Sequence, residues 1–225
     1  MTNHSFYDSH VTAAGFLREQ LAHGEHRLME YINNRGGLVL DVGCGSGRLH
    51  DAFTNVDQIV GIDYALAQLA LYRRLHPEAP LVNADATHLP FFDNSFDSVL
   101  LGYHMIESVL GVQSRFAAIS EAARILRPGG LLCLTRHVRR NYRLPRQILH
   151  FVAGRVNEFG DVRGGGSNHA GGVSLEGFTM HILSDSEMRV LAKAAQLKAV
   201  TSWDFDDGRC QRRRSRAVIQ IYSKG

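Results

Sequence analysis

The sequence predicts an α/β protein with a seven-stranded, doubly wound sheet, mostly parallel with an antiparallel hairpin at its C-terminal edge. Short apolar runs typical of buried strands alternate with helical patterns from residue 38 to about residue 135. Parallel strands need such crossover helices. The last two β-rich runs, AVTSWDF and RAVIQIYS, are separated only by an arginine-rich connection, which favours an antiparallel pair. With 225 residues, we expect a single domain over residues 1–225.

The predicted elements follow in order. Residues 1–34 form a helical cap, because apolar side chains recur at helical spacing, with an interruption at Gly24. The run Leu38–Val42 has the continuous apolar character of a buried parallel strand. Further strands are predicted in QIVGID, APLVNAD, FDSVLLGY and LLCLTR, and helices over residues 46–53, 65–75 and 113–126.

The regular alternation stops between residues 138 and 183, which we interpret as an insertion. A helical stretch is predicted over about residues 144–156, followed by the glycine cluster GGGSNHAGG at residues 164–172. Such a cluster is typical of a flexible loop, either a lid or a disordered insertion. From Ser184 the stretch SDSEMRVLAKAAQL predicts a helix, with Ser184 and Glu187 placed as a capping box.

Composition excludes several classes of protein. The longest apolar runs fall short of the roughly 18 to 20 residues that span a bilayer. The polar start, MTNHSFYDSH, lacks the pattern of a signal peptide. The three cysteines lie far apart, which argues against a disulfide framework and against a cysteine metal pair. We therefore expect a cytoplasmic protein with no membrane span and no metal site.

Positive charge is concentrated in two segments, although the formal net charge is only +3. Residues 136–163 contain seven arginines and two acids, and residues 209–216 contain five arginines and no acid. Such clusters can attract an anionic small molecule or RNA, or they can simply face solvent.

The first strand runs directly into the glycine turn VLDVGCGSG. A glycine turn that opens a helix lets a nucleotide-like cofactor approach the main chain and the helix N-terminus. A dinucleotide fingerprint would place its third glycine at position 48, where this chain has Arg48. Asp63 ends the second strand, and an acid there can accept hydrogen bonds from ribose hydroxyls. These features alone leave several adenine-bearing cofactors open.

The series VLDVGCGSG, GIDYA, NADATHLPFFDNSFDSVLL and ILRPGGLLCLT resembles the class I S-adenosylmethionine (SAM)-dependent methyltransferases, in the branch that includes the ubiquinone/menaquinone-type enzymes. The resemblance covers most of residues 37–135 and implies a Rossmann-like fold, with SAM as cofactor and S-adenosylhomocysteine as product. The implied cofactor-binding residues are Asp41, Gly43, Cys44, Gly45 and Gly47 for the methionine portion, Asp63 for the ribose, Tyr64, Asp85 and Ala86 for the adenine, and Gly102 and Tyr103 near the methionine end.

Structural alternatives exist for the acids in this series. Asp63 could cap a helix, and Asp85 could form a turn. For Asp97, which starts a strand, a structural contact near the glycine turn is at least as well supported as a cofactor role.

The implied reaction is an in-line displacement at the sulfonium methyl, for which the protein supplies alignment and a water-poor pocket. His104 and His137 follow the fourth and fifth strands and are candidate general bases, or they merely line the pocket. Glu107 could orient His104 or face solvent. The family builds its substrate pocket in the 138–183 segment. Candidate substrate contacts are Tyr7, Arg136, Arg140, Tyr142 and His181.

The leading hypothesis is methyl transfer to O or N of a small-molecule acceptor, possibly anionic. The alternative is an RNA- or tRNA-modifying methyltransferase, which the arginine clusters would suit. Against it, the stretch after the fourth strand reads LGYH and not the NPPY-type sequence of many amino-directed nucleic-acid methyltransferases. A non-catalytic SAM-binding protein is a third possibility. The expected assembly is a monomer or a homodimer.

Overall fold

The structure is a computed structural model of the chain. It describes residues 3–138, 148, 151–152, 154, 158–163, 169–170, 173–174, 176, 178–205 and 217–225. Across these ranges, no helix has the length and apolar character needed to cross a membrane. The cytoplasmic location stays a prediction. Cys44 and Cys133 are buried, free thiols.

Seven strands form one sheet. They are β1 (Leu38–Val42), β2 (Gln58–Asp63), β3 (Leu81–Asn83), β4 (Phe96–Leu101), β5 (Leu126–His137), β10 (Leu197–Asp204) and β11 (Ala217–Lys224). Their spatial order is β10-β11-β5-β4-β1-β2-β3. Strands β1 to β5 pair in parallel, whereas β11 is antiparallel to both β5 and β10. The predicted fold class is therefore confirmed, including the antiparallel hairpin at one edge.

The helices with described bounds are α1 (Asn3–Tyr7), α2 (His10–Leu17), α3 (His23–Arg35), α4 (Leu66–Leu75), α5 (Met105–Ser108), α6 (Val112–Ile125) and α7 (Asp185–Ala194). The helices cover both faces of the sheet, because buried apolar side chains form one layer on each face. Leu40 belongs to the layer that includes Ile119 of α6, while its neighbour Val39 packs with Ile32 of α3. Successive strand residues point to opposite faces, so a strand covered on both faces is apolar throughout.

The predicted interruption of the helical cap lies a few residues before Gly24, between α2 and α3, and Gly24 is the second residue of α3. A Cβ at position 24 would lie 2.6 Å from the carbonyl oxygen of Asp204. The Gly24 N–H donates to the carbonyl of Phe205 at 3.0 Å, and the Trp203 indole donates to the Gly24 carbonyl at 3.1 Å. Glycine therefore allows α3 to pack directly on the end of β10.

The helix predicted over residues 46–53 is wrong. Turns occupy this segment, followed by a short 3₁₀ helix at His50–Ala52. Gly47 has a φ of +84°, a backbone conformation that an α-helix cannot contain. The hydrogen bonds here span three residues, from Gly47 N–H to Cys44 and from His50 N–H to Gly47. The expected free helix N-terminus after β1 is therefore replaced by a turn.

The insertion contributes two small antiparallel pairs that the sequence analysis did not predict. Strand β6 (Asp161–Arg163) pairs with β9 (Thr179–His181), and β7 (His169–Ala170) pairs with β8 (Val173–Ser174). The helix predicted over residues 144–156 and the predicted loop at 164–172 lie mostly outside the described residues. Helix α7 begins after Ser184, and its predicted capping box with Glu187 is confirmed by bonds of 2.7 and 3.2 Å.

Candidate active site

A cleft of about 810 Å³ opens where β1, β2 and β4 end. Ligands of open α/β sheets bind at this edge, outside the carboxyl ends of the strands. Its polar lining comes from residues 43–46 of the glycine turn (residues 43–47), from residues 63–64 and from residues 84–87, whereas Gly47, a predicted cofactor contact, is not part of the lining. Four further lining side chains, which we call the apolar wall, are Phe16, Leu110, Phe178 and Met180.

Asp41 is a buried acid at the end of β1 that lines this cleft. Burial raises the pKa of Asp41 to about 7, because it disfavours the charged form, and the Arg48 guanidinium offsets part of this effect. Among the described residues, no hydrogen-bond donor is bound to its carboxylate. A buried acid held in this way is suited to a cationic ligand group.

Asp63 both binds the backbone at the start of a helix and lines the cleft, two roles between which the sequence did not decide. Its carboxylate accepts hydrogen bonds from the backbone N–H of Gly45 at 2.9 Å and of Ala65 at 2.8 Å. It thereby ties the glycine turn to the start of α4. Burial raises the pKa of Asp63, although these backbone donors oppose the shift. Each carboxylate oxygen retains acceptor capacity, and the residue lines the cleft.

Asp85 does form a turn, as its structural alternative predicted. One oxygen accepts from the backbone N–H of Thr87 at 2.7 Å and from its hydroxyl at 2.8 Å. The side chain is exposed and also borders the cleft beside Ala86. Tyr64 lines the same cleft, and its ring centroid lies 6.2 Å from that of Tyr7.

Gly102, Tyr103 and His104 follow β4 and enter the cleft. Tyr103 and His104 have positive φ values of 44° and 62°. Two successive non-glycine residues in this region carry backbone strain, which is common at functional sites. The Arg48 guanidinium lies 4.6 Å from the centroid of the Tyr103 ring and also binds Glu25 of α3 at 3.1 Å. Arg48 thus connects the helical cap to the cleft.

His104 and His137 lie together, as expected for two residues that follow neighbouring strands. Their rings stack at a centroid distance of 3.9 Å and an angle of 24°. Burial, followed by the neighbouring His137 and Arg48, lowers the pKa of His104 well below its usual range. His104 therefore stays neutral near pH 7.

Glu107 is fully buried and binds His137, not His104 as the sequence suggested. One oxygen accepts from the His137 backbone N–H at 3.0 Å, and the other lies 2.6 Å from Nδ1 of its ring. The distance from Glu107 to Nδ1 of His104 is 3.8 Å. Three side chains are thus gathered beside the cleft.

Tyr7 reaches the same region from α1. Its hydroxyl lies 2.9 Å from Oγ of Ser108, and its ring contacts Phe16 and Phe178 of the apolar wall. Burial raises the pKa of Tyr7, so the phenol stays protonated.

Comparisons with known proteins support one family. Residues 40–134 match the model of the methyltransferase domain. The demethylmenaquinone methyltransferase of Renibacterium salmoninarum is 34% identical over 98 residues, which are 43% of this chain and 40% of that protein. The O-methyltransferase resE of Aspergillus sclerotiorum is 32% identical over 161 residues, covering 58% of this chain and 60% of that protein. Residues 40–134 therefore match a methyltransferase domain, and along this part the chain is similar to methyltransferases.

The crystal structure of a SAM-dependent methyltransferase from Methanosarcina mazei shares this fold, with a TM-score of 0.68 at 22% identity over 83% of this chain and 92% of that one. The chain spans 40% and 60% of the length of the two curated relatives. The family resemblance inferred from the sequence is confirmed, and SAM is the cofactor of this family.

The residues of the cleft fit this methyl donor. SAM carries a cationic ammonium group, a ribose diol and an adenine. Asp41 offers a buried carboxylate for a cation, and Asp63 offers acceptor oxygens to hydroxyl groups. The adenine could lie beside Tyr64 and residues 85–87, which combine an aromatic ring with polar groups.

Two of the predicted substrate contacts, Arg136 and His181, lie outside the cleft. The Arg136 guanidinium is buried and binds Gln220 at 2.7 Å, the Leu183 carbonyl at 3.1 Å and the Asp185 carboxylate. His181 is fully buried between Asp161 at 2.8 Å and Glu187 at 3.1 Å. Because their polar groups are bound internally, we correct both assignments to structural roles.

Arg140 and Tyr142, the other two candidates from the insertion, lie outside the described residues. Phe16 and Ser108 line the cleft, and Arg48 connects it to the helical cap, although neither role was predicted from the sequence. These residues approach the cleft from different elements, and no sequence spacing indicates it. The spacing His-x-x-Glu indicated that Glu107 could bind His104. Its partner in the structure is His137, which lies 30 positions away in the sequence.

Proposed function

We propose that the protein is an enzyme that transfers a methyl group from SAM to an oxygen or nitrogen atom of a small-molecule acceptor by in-line displacement. The observation that carries this proposal is the cleft of about 810 Å³, which combines the acidic, glycine-containing polar lining with the apolar wall. A volume of this order suits a cofactor together with a small acceptor.

SAM would supply the electrophilic methyl group when bound. Asp41 would bind the ammonium of its methionine portion, with the backbone of the glycine turn beside it. Asp63 would accept hydrogen bonds from the ribose, and Asp85 from the adenine amino group. These roles are supported by the positions of the three acids at successive strand ends.

The acceptor would contact the apolar wall and Tyr7, because these side chains exclude water from the region near His104 and His137. Exclusion of water and a fixed orientation are the main contributions that a protein makes to such a displacement. Arg140 and Tyr142 remain proposed contacts of an anionic acceptor. We also propose that residues 1–225 act as one domain, as a monomer or a homodimer in the cytoplasm.

Calorimetric titration tests the cofactor part of this proposal. We expect SAM and S-adenosylhomocysteine to bind with one-to-one stoichiometry, while NAD does not bind. Failure of both sulfur compounds to bind would refute the proposed function.

Incubation of the protein with methyl-tritiated SAM and a fractionated cell extract tests the acceptor class. We expect label in the small-molecule fraction. Label confined to the RNA fraction, together with RNA binding that weakens steeply with salt, would favour the RNA-modifying alternative. Binding of SAM without label in any fraction would favour a non-catalytic SAM-binding protein.

A further inference from the structure

We infer that His181 is a positioning residue for the acceptor, because its imidazolium fixes strand β9 and with it Phe178 and Met180 of the apolar wall. Acceptor binding should therefore weaken at high pH, where the imidazolium loses its proton. This inference rests on the proposed function, in which the acceptor contacts that wall.

The first argument is the placement of His181 on its strand. Successive residues of a strand point to opposite faces. Met180 of β9 lines the cleft, as does Phe178 just before the strand, whereas His181 lies outside the lining and is fully buried. The position of the His181 ring therefore bears directly on Met180, its neighbour in the chain.

The second argument is that main-chain hydrogen bonds alone hold this strand weakly. Strand β9 has three residues, and within the described ranges it pairs only with β6, which also has three. A two-stranded pair is marginally stable by itself. Asn3 adds two hydrogen bonds to the backbone of Thr179, at 2.7 and 3.1 Å, at the first residue of the strand. His181 is the last residue of the strand.

The third argument is the set of partners that His181 has there. Its Nδ1 lies 2.8 Å from Asp161 of β6, and its Nε2 lies 3.1 Å from Glu187 of α7. Anionic carboxylates only accept hydrogen bonds, so both ring nitrogens carry protons and the ring is an imidazolium. Burial opposes this charge, but the two hydrogen bonds outweigh it and raise the pKa of His181. The charged ring thus connects β9 to β6 and α7.

Two further charged groups face this ring. Glu158 lies 3.8 Å from Nε2 of His181 and binds the guanidinium of Arg115, which is buried on α6. Arg115 also donates to the carbonyl of Val109, a residue of the cleft lining, at 3.2 Å. Among the described residues, three carboxylates thus face two cations while His181 is charged, and only Arg115 once it is neutral. The stabilisation from His181 is therefore present at low pH and is lost as pH rises through its raised pKa.

Methyl NMR of protein labelled with ¹³C in its methionine methyl groups tests the inference without an acceptor. The Met180 resonance is identified by its loss in Met180→Leu. With S-adenosylhomocysteine bound, we expect this resonance in the wild type to shift as pH rises from about 7 to about 10. In His181→Gln, where the side chain cannot titrate, it should stay constant. Met29 is the internal reference, because it is buried in a different apolar cluster.

Glu187→Gln keeps the imidazole but removes one anionic partner, so it decides the case if His181→Gln does not fold. We expect the midpoint of the Met180 shift to move to lower pH, because the imidazolium is less stabilised. The matched control is Glu121→Gln, since each glutamate accepts a backbone hydrogen bond, at 2.7 and 2.8 Å, and Glu121 lies outside the cleft lining. A wild-type Met180 resonance that does not titrate, or an unchanged midpoint in Glu187→Gln, would overturn the inference.

Label transfer from methyl-tritiated SAM to serial dilutions of the small-molecule extract tests the role in acceptor binding. We expect His181→Gln to raise the half-saturating amount of extract by about threefold to tenfold. The rate at saturating extract should stay within about twofold, as for a loss of binding alone. In the wild type, the half-saturating amount should rise with pH to the level of the variant, whose own value should not change with pH.

The outcomes separate the two proposals. If neither SAM nor S-adenosylhomocysteine binds, the proposed function fails. If both bind and the half-saturating amounts of extract for His181→Gln and Glu187→Gln match that of Glu121→Gln, only the present inference fails. The ligand atoms of Glu158, Asp161 and His181 lie within 4.8 Å of one another. Stoichiometric binding of Zn²⁺ that stops the Met180 titration would therefore also overturn the inference, in favour of a metal site.

Discussion

Acidic residues at the strand ends have opposite electrostatic environments. Asp41 is buried beside the glycine turn, and its pKa is raised to about 7. Burial alone would also raise the pKa of Asp97, but the backbone N–H of Leu38 and the Arg127 guanidinium outweigh it and lower that pKa. Asp97 thus has a structural contact, as the sequence offered, but at the start of β1 and not near the glycine turn. Of these two acids, Asp41, whose carboxylate binds no hydrogen-bond donor among the described residues, is the one that lines the cleft.

Asp41→Asn should stabilise the ligand-free protein at pH 8. A carboxyl whose folded pKa is raised binds its proton more tightly in the folded state, so its contribution to stability is lost as pH rises from about 4 to about 7. In urea unfolding, we expect the variant to have the higher midpoint at pH 8, with a gap that shrinks as pH falls toward 5. The variant should also bind SAM more weakly.

Asp97→Asn is the matched control for this experiment. The folded pKa of Asp97 is lowered, so its contribution is present at pH 8 and is lost only when pH falls through that pKa. We expect the variant to lose about 1–2 kcal/mol at pH 8. A gap of the same sign for both variants would contradict our assignment of the two environments.

Asp63→Asn should weaken the binding of S-adenosylhomocysteine by about 1–3 kcal/mol if Asp63 accepts hydrogen bonds from the ribose. Titration calorimetry measures this change. Asp97→Asn again serves as control, because Asp97 also accepts a backbone hydrogen bond but does not line the cleft. Equal affinity in the Asp63 variant and the wild type would leave Asp63 with only its backbone contacts to Gly45 and Ala65.

At the scale of elements, the glycine turn is held by its neighbours and not by a following helix. The N–H groups of Gly43 and Cys44 both donate to the carbonyl of Ile62 on β2, at 2.8 and 3.0 Å. Tyr72 of α4 lies beneath Gly47, where a Cβ would be 2.6 Å from its ring. The shape of the turn therefore depends on β2 and α4 as well as on its own glycines.

Gly47→Ala should disrupt this turn. A positive φ costs an alanine about 1–2 kcal/mol, and the contact with Tyr72 adds about 1–3 kcal/mol of overpacking. Gly129→Ala is the control that measures the cost of a positive φ alone. Gly129 has a φ of +74°, and no atom lies within 4 Å of an added Cβ. We expect both variants to lose stability in urea. Weakened binding of S-adenosylhomocysteine is expected for Gly47→Ala alone, and equal binding by both variants would contradict the model of the turn.

At the scale of the whole molecule, buried polar side chains join the end of the insertion to the sheet. Arg136 of β5 binds Gln220 of β11, the Leu183 carbonyl and Asp185 of α7. These bonds connect three elements that are distant in sequence. Their arrangement explains why an arginine in a basic cluster is unavailable to a substrate.

Arg136→Met should destabilise the protein by about 2–3 kcal/mol, since it leaves the Leu183 carbonyl and the amide of Gln220 without their donor. Urea unfolding measures this loss. The control is Arg127→Met, whose half-exposed ion pair with Asp97 is worth about 0–1 kcal/mol. Unchanged stability of Arg136→Met combined with loss of methyl transfer would restore the predicted substrate contact.

The order of strands and helices between residues 38 and 135 was predictable, because a sheet covered on both faces leaves an apolar run for every strand. The polar residues of the cleft were predictable too, because they lie in this same segment and directly follow the ends of its strands. The short strands of the insertion were not, because two- and three-residue pairs have no periodicity that a sequence pattern could show. The helix expected after β1 failed because positive φ angles at the glycines outweigh helical spacing.

By itself, the sequence determined the fold class, the glycine turn and the acids at the strand ends, because these depend on local spacing along consecutive elements. Only the tertiary structure decided which of the remaining polar residues face the cleft. It placed Arg136 and His181 in internal hydrogen bonds and brought Glu107 to His137. A buried polar group without a hydrogen-bond partner costs free energy, so its position depends on where a partner is available. These partners come from elements far apart in the chain, and local sequence spacing does not reveal them.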